Sequence, residues 1–562
     1  MDEVNDILDP LSGLNLEEQL PPESDDGTVE YKRKMNFSEN LSHRLAQMRY
    51  RLSQGNGQCI YLLGVSDSGE LYGMDPVEFE ETMKVMKQIC GECDCVMTLL
   101  QDVEFEGRKI QKYLVREHNP VDYKNIRIGT LGRVDAGKSS LVGVLTTGTL
   151  DDGRGSARST VFHYPHEKES GRTSSESQRI LGFTSSGEVV NSRNSLRTYS
   201  WKEIVAKSSK ICTWYDLCGH RDYFKSTVAG VAGNQLDFGC LVVNAASGIS
   251  LKDMTVSHMS LLNAYHVPMI VVITKIDLVL DKPEVLKKTV AQVRFCIHEC
   301  DNNTTTKVMR TREDVINLHD KIVSNRIVPI FLVSSVSGKN IDLLTLFLNL
   351  VQPTIIFDPN KYVRMNIADT YMTKAGLVVG GHLIQGTIKI GDTLELGPDK
   401  LGKFTNIKVR DIHIKRVPVQ TAKPGCYVCL CVKGITRGEI KRGMSILTPG
   451  KSKACKEFKA NIILSQDGTV NLKPRYQGIL NLGKLRTAIE ILEIENYKSI
   501  ELKKSLEKVG SLEKPVVITN IQGDRATVRF RFLNTYAYIE PGDRFVLTQG
   551  LIRIIGVVSK VL

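Results

Sequence analysis

Residues 126–145 read IRIGTLGRVDAGKSSLVGVL, and the way this stretch divides decides the fold. Ile126-Arg127-Ile128-Gly129-Thr130-Leu131 reads as a strand. Gly132-Arg133-Val134-Asp135-Ala136-Gly137-Lys138-Ser139 follows, and Ser140 to Leu145 continues in helical pattern. Strand, glycine-rich loop and helix in that order predict a phosphate-binding loop. Glycines let the backbone wrap an anion closely, amide N–H groups and the helix N-terminus supply positive potential, and Lys138 adds a full charge. Residues Gly132 through Ser140 are therefore the expected phosphate cradle, with the Ser139 hydroxyl placed to ligate Mg²⁺.

Three later strand ends extend the pattern. Asp216-Leu217-Cys218-Gly219 closes the strand Ile211 to Tyr215, where a carboxylate can support the Mg²⁺ shell and Gly219 can offer its amide to a γ-phosphate. Thr274-Lys275-Ile276-Asp277 closes the strongest apolar strand, Met269 to Ile273. Asp277 can accept two hydrogen bonds from the N1–H and N2–H₂ edge of guanine, an edge adenine lacks, while the Lys275 stem can lie along the base. Ser334-Ser335-Val336 closes the strand Val328 to Val333 and can contact the base O6. Ligands of open α/β sheets bind at the carboxyl ends of the strands, so four such motifs in order predict a GTP/GDP- and Mg²⁺-binding site. The alternation of short strands and helices over 122–352 predicts a doubly wound α/β domain with a mostly parallel sheet.

Outward from this domain the texture changes. Residues 358–450 and 455–562 are runs of short strands with frequent glycine turns, which predict two β-barrels. Residues 29–118 predict an α+β domain with helices over Ser38–Ser53 and Asp75–Ile89, and no catalytic pattern. The first 30 residues carry ten acidic side chains and no Lys or Arg, so residues 1–28 are expected to form a disordered acidic tail. The chain's 562 residues have a net charge of +11, and that tail accordingly leaves the rest strongly basic. Residues 361–562 hold 34 Lys and Arg against 17 Asp and Glu. Lys400, Lys403, Lys408, Arg410, Lys415, Arg416 and Lys423 face one acid, Asp411, and suit an RNA-facing surface. The alternative is that strands expose Lys and Arg for solubility and edge protection.

Apolar runs such as Val267 to Ile273 are far short of the roughly 20 residues that span a membrane. The opening MDEVNDILDP is no secretory signal, so a soluble, cytoplasmic chain without a membrane partner is expected, acting as a monomer. The thirteen cysteines include Cys90, Cys93, Cys95 and Cys426, Cys429, Cys431, which lack an obvious fourth ligand nearby and read as thiols rather than zinc sites.

GRVDAGKS, DLCGH, TKID and the two trailing β-modules resemble translational GTPases of the elongation factor Tu superfamily. More narrowly, LDDGRGSAR at 150–158, ESGRTSS at 169–175 and DLCGHRDYFKSTVAG at 216–230 resemble the switch segments of the eukaryotic GTP-binding protein one and two family. YMTKAGLVVGGHLIQGTIKIGD at 371–392 and PRYQGILNLGKLRTAIEI at 474–491 are similar to the family's second and third domains. The resemblance implies that Thr173 completes the Mg²⁺ shell in the GTP state, that Gly219 is the second switch's glycine, and that His220 orients the attacking water. Lys138 and Mg²⁺ then neutralise charge at the β–γ bridge. Arg133, Cys218 and Thr274 depart from residues common in the superfamily, and Thr274 lacks the second polar arm of an asparagine.

The resemblance further implies a ribosome-dependent GTPase acting with tRNA or another RNA, in elongation or in rescue of stalled ribosomes. Two other readings stay open: a GTP-gated adaptor between RNA and an RNA-decay complex, and a sulfate-activation-type GTPase. The matching switch and N-terminal segments weigh against the last.

Overall fold

The computed structural model describes residues 20–562 except 37–40, 56, 106, 119–122, 163, 171–172, 174, 192–198, 251–253, 320, 325, 375, 466–472, 499–524 and 550–551. The N-terminal domain is a four-stranded sheet in the order β1 (Val29–Lys32), β2 (Gln58–Leu63), β4 (Arg108–Glu117), β3 (Cys95–Phe105). Two helices, Leu41–Gln54 and Pro76–Glu92, cover one face through Met48, Leu52, Val85, Met86 and Ile89. Asp75 caps the second helix in a capping box with Glu78. The other face packs through Tyr31, Ile60, Leu62 and Leu114 into the core of the next domain. Arg116, 1% exposed, seals that seam by donating to the Asn349 carbonyl at 3.0 Å and its Oδ1 at 3.1 Å.

The acidic tail needs a correction. Residues 1–19 lie outside the described residues, but 20–28 are held on this domain. Arg51 donates to Glu23 Oε1, to Glu30 Oε2 at 2.6 Å, and to the carbonyls of Asp25 and Gly27 at 3.1 and 3.3 Å. One buried guanidinium neutralises carboxylates that composition alone counts as unpaired.

The central sheet runs β11 (Thr305–Met309), β12 (Ile327–Leu332), β10 (Met269–Thr274), β9 (Phe238–Asn244), β5 (Lys124–Leu131), β8 (Lys210–Asp216), β6 (Ser177–Phe183), β7 (Val189–Val190). The first six are parallel, while β6 and β7 are antiparallel edge strands. β9 and β10 are apolar along almost their whole length because helices cover both faces. Every parallel strand therefore delivers its C-terminal end to one edge, where the four motifs sit.

Two barrels follow. In the first, the strands Arg364–Thr373, Gly376–Gln385, Thr393–Gly397, Thr405–Ile414, Tyr427–Lys433 and Ser445–Leu447 close through the pairing of Thr393–Gly397 with Thr405–Ile414. The second is a closed six-stranded barrel spanning Glu457–Val561. Arg364, buried between them, meets Asp543 at 2.7 Å and Glu540 at 3.2 Å.

The basic stretch over 400–423 is divided by this packing. Lys400, Lys403, Lys408, Arg410 and Lys423 are exposed. Lys415 instead reaches into the central domain and donates to Thr213 Oγ1 at 2.5 Å, and Arg416 lies 4.9 Å over the Trp201 ring. Lys415 is thereby withdrawn from any RNA-facing patch, while Arg416 stays exposed beside Trp201. All thirteen cysteines are free thiols, and burial pushes Cys90 and Cys95 up to about 12. Among the described residues, no helix is long and apolar enough to cross a membrane.

Candidate active site

The loop after β5 lies flat on β9: a Cβ at Gly132 would stand 2.3 Å from the Val242 carbonyl oxygen. Asp135 and Gly137 take left-handed conformations at φ 61 and 88, and Gly137 starts the helix Lys138–Thr147 without a side-chain cap. The first amides of that helix are thereby left for an external anion.

Six of the nine expected cradle residues line one cleft: Val134, Asp135, Gly137, Lys138, Ser139 and Ser140. The other three turn away from it. The Gly132 amide donates to His258 Nδ1 at 3.2 Å, the Arg133 carbonyl accepts from Lys138 Nζ at 2.9 Å, and Ala136 is fully buried. These three brace the loop from behind. His258 itself, fully buried and stacked on Phe224 at 5.8 Å, carried no motif in the sequence.

Three oxygens converge beside Lys138. Ser139 Oγ donates to Asp216 Oδ2 at 2.6 Å and lies 3.0 Å from Thr173 Oγ1, which is itself 3.3 Å from the same carboxylate. Thr130 Oγ1 donates to the other Asp216 oxygen at 2.8 Å and fixes its plane. Two hydroxyls and a carboxylate are hard oxygen donors and fit Mg²⁺. Burial pushes the Asp216 carboxyl up, against the pull of Lys138 and the hydroxyls, and pushes the Lys138 ammonium down, with Asp216 the largest opposing charge. Both groups are thus held without enough counter-charge, which a metal and a polyphosphate would supply.

Gly219 presses on this centre, since a Cβ there would lie 2.3 Å from Lys138 Nζ and 2.5 Å from the Gly132 carbonyl oxygen. His220 lines the same cleft and also starts the short helix Arg221–Tyr223, its Nδ1 accepting from the Asp222 amide at 3.2 Å. That bond leaves the proton of the neutral ring on Nε2.

At the far end, Lys275, Asp277, Ser335 and Val336 line the cleft. Ser334 sits beneath them: its hydroxyl donates to Asp277 Oδ1 at 2.5 Å while accepting from the Val336 and Ser337 amides at 3.2 and 3.0 Å. Its hydroxyl is placed to orient Asp277. Thr274 borders the cleft but directs its hydroxyl inward to the Ala136 carbonyl at 2.6 Å and the Val243 carbonyl at 3.2 Å. Its place is that of a brace between β10 and the loop. Arg154 and Arg158, which no motif reading assigned a role, complete the wall.

Behind the cleft, Glu176 accepts from Asn234 Nδ2 at 2.7 Å and meets Lys484 of the second barrel at 3.3 Å. Asn234 Oδ1 in turn lies 3.2 Å from His382 Nε2 of the first barrel. Glu176 is three residues from Thr173 in sequence, so the chain that carries one converging oxygen also carries a carboxylate held against the second barrel.

Comparison with known proteins agrees with this architecture. Residues 123–353 match the elongation factor Tu GTP binding domain and residues 376–447 match elongation factor Tu domain 2. GTP-binding protein 1 of Xenopus laevis is 36% identical over 93% of this chain and 77% of its own length. GTP-binding protein 2 of Homo sapiens is 33% identical over 96% and 88%. Among solved structures, translation elongation factor SelB of Methanococcus maripaludis superposes with a TM-score of 0.53 at 21% identity, covering 79% of this chain and 80% of that one. The same factor bound to the GTP analogue GppNHp gives 0.52 at 22% identity. The chain belongs to the GTP-binding protein 1 and 2 family of elongation-factor-Tu-type GTPases, and is a GTP hydrolase.

Proposed function

We propose that the chain is a GTP-driven switch in cytoplasmic translation, acting on the ribosome with tRNA or another RNA. The observation that carries this reading is the convergence of Ser139, Thr173 and Asp216 in the cleft that Lys138 and His220 line. A selenocysteine-specific elongation factor of Methanocaldococcus jannaschii, 24% identical over 76% of this chain, supports a role of the same kind.

In this reading Lys138 and the helix N-terminus hold the β- and γ-phosphates, and Asp277, oriented by Ser334, selects guanine. Ser139 and Thr173 would hold Mg²⁺ with Asp216 behind them, and the ion would neutralise charge on the phosphates. Gly219 leaves room for Lys138 and offers its amide to the γ-phosphate. His220 positions the attacking water through Nε2–H; it need not act as a strong base, because phosphoryl transfer depends on positioning and charge stabilisation. Unassisted switch GTPases of the Ras kind turn over at about 10⁻⁴ s⁻¹, so a macromolecular partner is expected to seat His220. Release of Thr173 after γ-phosphate loss would reach the barrels through Glu176, Lys484 and Asn234.

The test is co-sedimentation with eukaryotic ribosomes in GDP, GTP and a non-hydrolysable GTP analogue. Retention with the analogue and release with GDP are expected. Equal retention in all three states would refute a nucleotide-controlled ribosome switch.

A further inference from the structure

The segment between the phosphate-loop helix and the first switch threonine, residues 150–158, forms one wall of the cleft and is held at two points. The Asp151 amide donates to the Ser335 carbonyl at 2.9 Å, which fixes one end beside the base-side loop. At the other end, a Cβ on Gly143 would stand 2.3 Å from the Ala157 carbonyl oxygen. The short helix Ser156–Ser159 therefore lies against the helix that opens with Lys138-Ser139-Ser140. Arg154 sits between these anchors and Arg158 directly after the second, and both line the cleft together with Ser140 and Lys275.

The acids nearest in sequence are spent on the segment's own backbone. Asp152 Oδ1 accepts from the Arg154 and Ser156 amides at 2.8 and 3.1 Å, and Asp151 Oδ1 accepts from the Ala157 amide at 2.9 Å. Gly153 and Gly155 supply the left-handed turns at φ 77 and 97, and a Cβ on Gly155 would stand 2.3 Å from Arg158 Nε. The Arg158 side chain thus lies back across its own loop. Among the described residues, neither guanidinium is paired with a carboxylate.

Two guanidinium groups without a carboxylate partner, Arg154 exposed and Arg158 half-buried, stand on a hydrogen-bonded loop that lines the cleft, and they match an anion receptor. Resting on the nucleotide-site reading above, we propose that Arg154 and Arg158 form a side-chain grip on the α- and β-phosphates of the bound guanine nucleotide. The contact is present in GDP and GTP complexes alike. The anchors of the segment, Asp151 on Ser335 and Ala157 against Gly143, set it beside the base-side loop and the phosphate-loop helix, which favours this placement over the transferring γ-phosphoryl.

The test compares equilibrium affinities for GMP, GDP and GTP at constant Mg²⁺ in the full-length chain, with Arg154→Ala, Arg158→Ala, the double variant and the Arg→Lys replacements. Each alanine variant is expected to weaken GDP and GTP by about tenfold and the pair by about a hundredfold, with GMP weakened too and lysine partly restoring affinity. Apo-state circular dichroism and thermal unfolding matching the parent chain would show that the variants fold. Unchanged GDP affinity in a folded double variant overturns the proposal, as does a loss confined to GTP or to the hydrolysis rate, which would place the arginines on the γ-phosphoryl. Failure of the parent chain to bind GDP, with Lys138→Ala no different, would overturn the nucleotide-site reading itself.

Discussion

Replacing Gly219 by alanine adds a single methyl group at the most crowded point of the site. Gly219 does not take a positive φ, so alanine costs nothing in backbone conformation and the effect is steric. The new Cβ would stand 2.3 Å from Lys138 Nζ and 2.5 Å from the Gly132 carbonyl oxygen. An unstrained contact needs roughly 3.5 Å, so the ammonium and the loop backbone must retreat by about 1 Å. A charge-assisted hydrogen bond contributes about 1.5–3 kcal/mol, and its loss at the β–γ bridge corresponds to about 10- to 150-fold in rate. The assay is single-turnover GTP hydrolysis, with Gly438→Ala as control because a Cβ there meets nothing within 4 Å. Hydrolysis by Gly219→Ala within twofold of the parent chain would refute the claim that Lys138 works from its present position.

Asp277→Asn is expected to exchange guanine for xanthine preference, since the carboxylate accepts from the guanine edge; unchanged GTP affinity would remove Asp277 from the base pocket. Arg364→Ala strands Asp543 and Glu540 between the barrels and is expected to cost about 2–3 kcal/mol, read as a lower unfolding midpoint. Burial lowers Lys415 from its ordinary 10.5 to about 8. The unfolded chain therefore binds the extra proton between about pH 8 and 10.5, and the cost of burying this charge, full below 8, is relieved as pH rises through that window. Thermal unfolding should show the parent chain gaining on Lys415→Met between pH 7.5 and 9.5; a constant difference would contradict the assignment.

Legibility in the sequence followed burial. β5, β9 and β10 are covered on both faces, so their apolar runs announced a mostly parallel sheet, and each motif at a strand end fell on the same edge. What the sequence could not display were partners distant along the chain. The Gly132 amide is claimed by a histidine 126 residues away, and Thr274 spends its hydroxyl on Ala136, 138 residues distant. A tetrapeptide names residue types but not which way each polar atom turns. The same limit explains residues 20–28, where composition registers charge but not the Arg51 that binds it, and the 400–423 stretch, where Lys415 reaches into the central domain. Arg154 and Arg158 were visible as residues, but their place on the cleft wall depends on two glycine turns and a contact with Ser335.

The most direct measurement is single-turnover hydrolysis of GTP by the full-length chain, with and without purified eukaryotic ribosomes, beside His220→Ala. A slow intrinsic rate, strong stimulation by ribosomes, and loss of that stimulation in the variant are predicted. Tight GTP binding with no ribosome response, or stimulation that survives His220→Ala intact, would contradict the account.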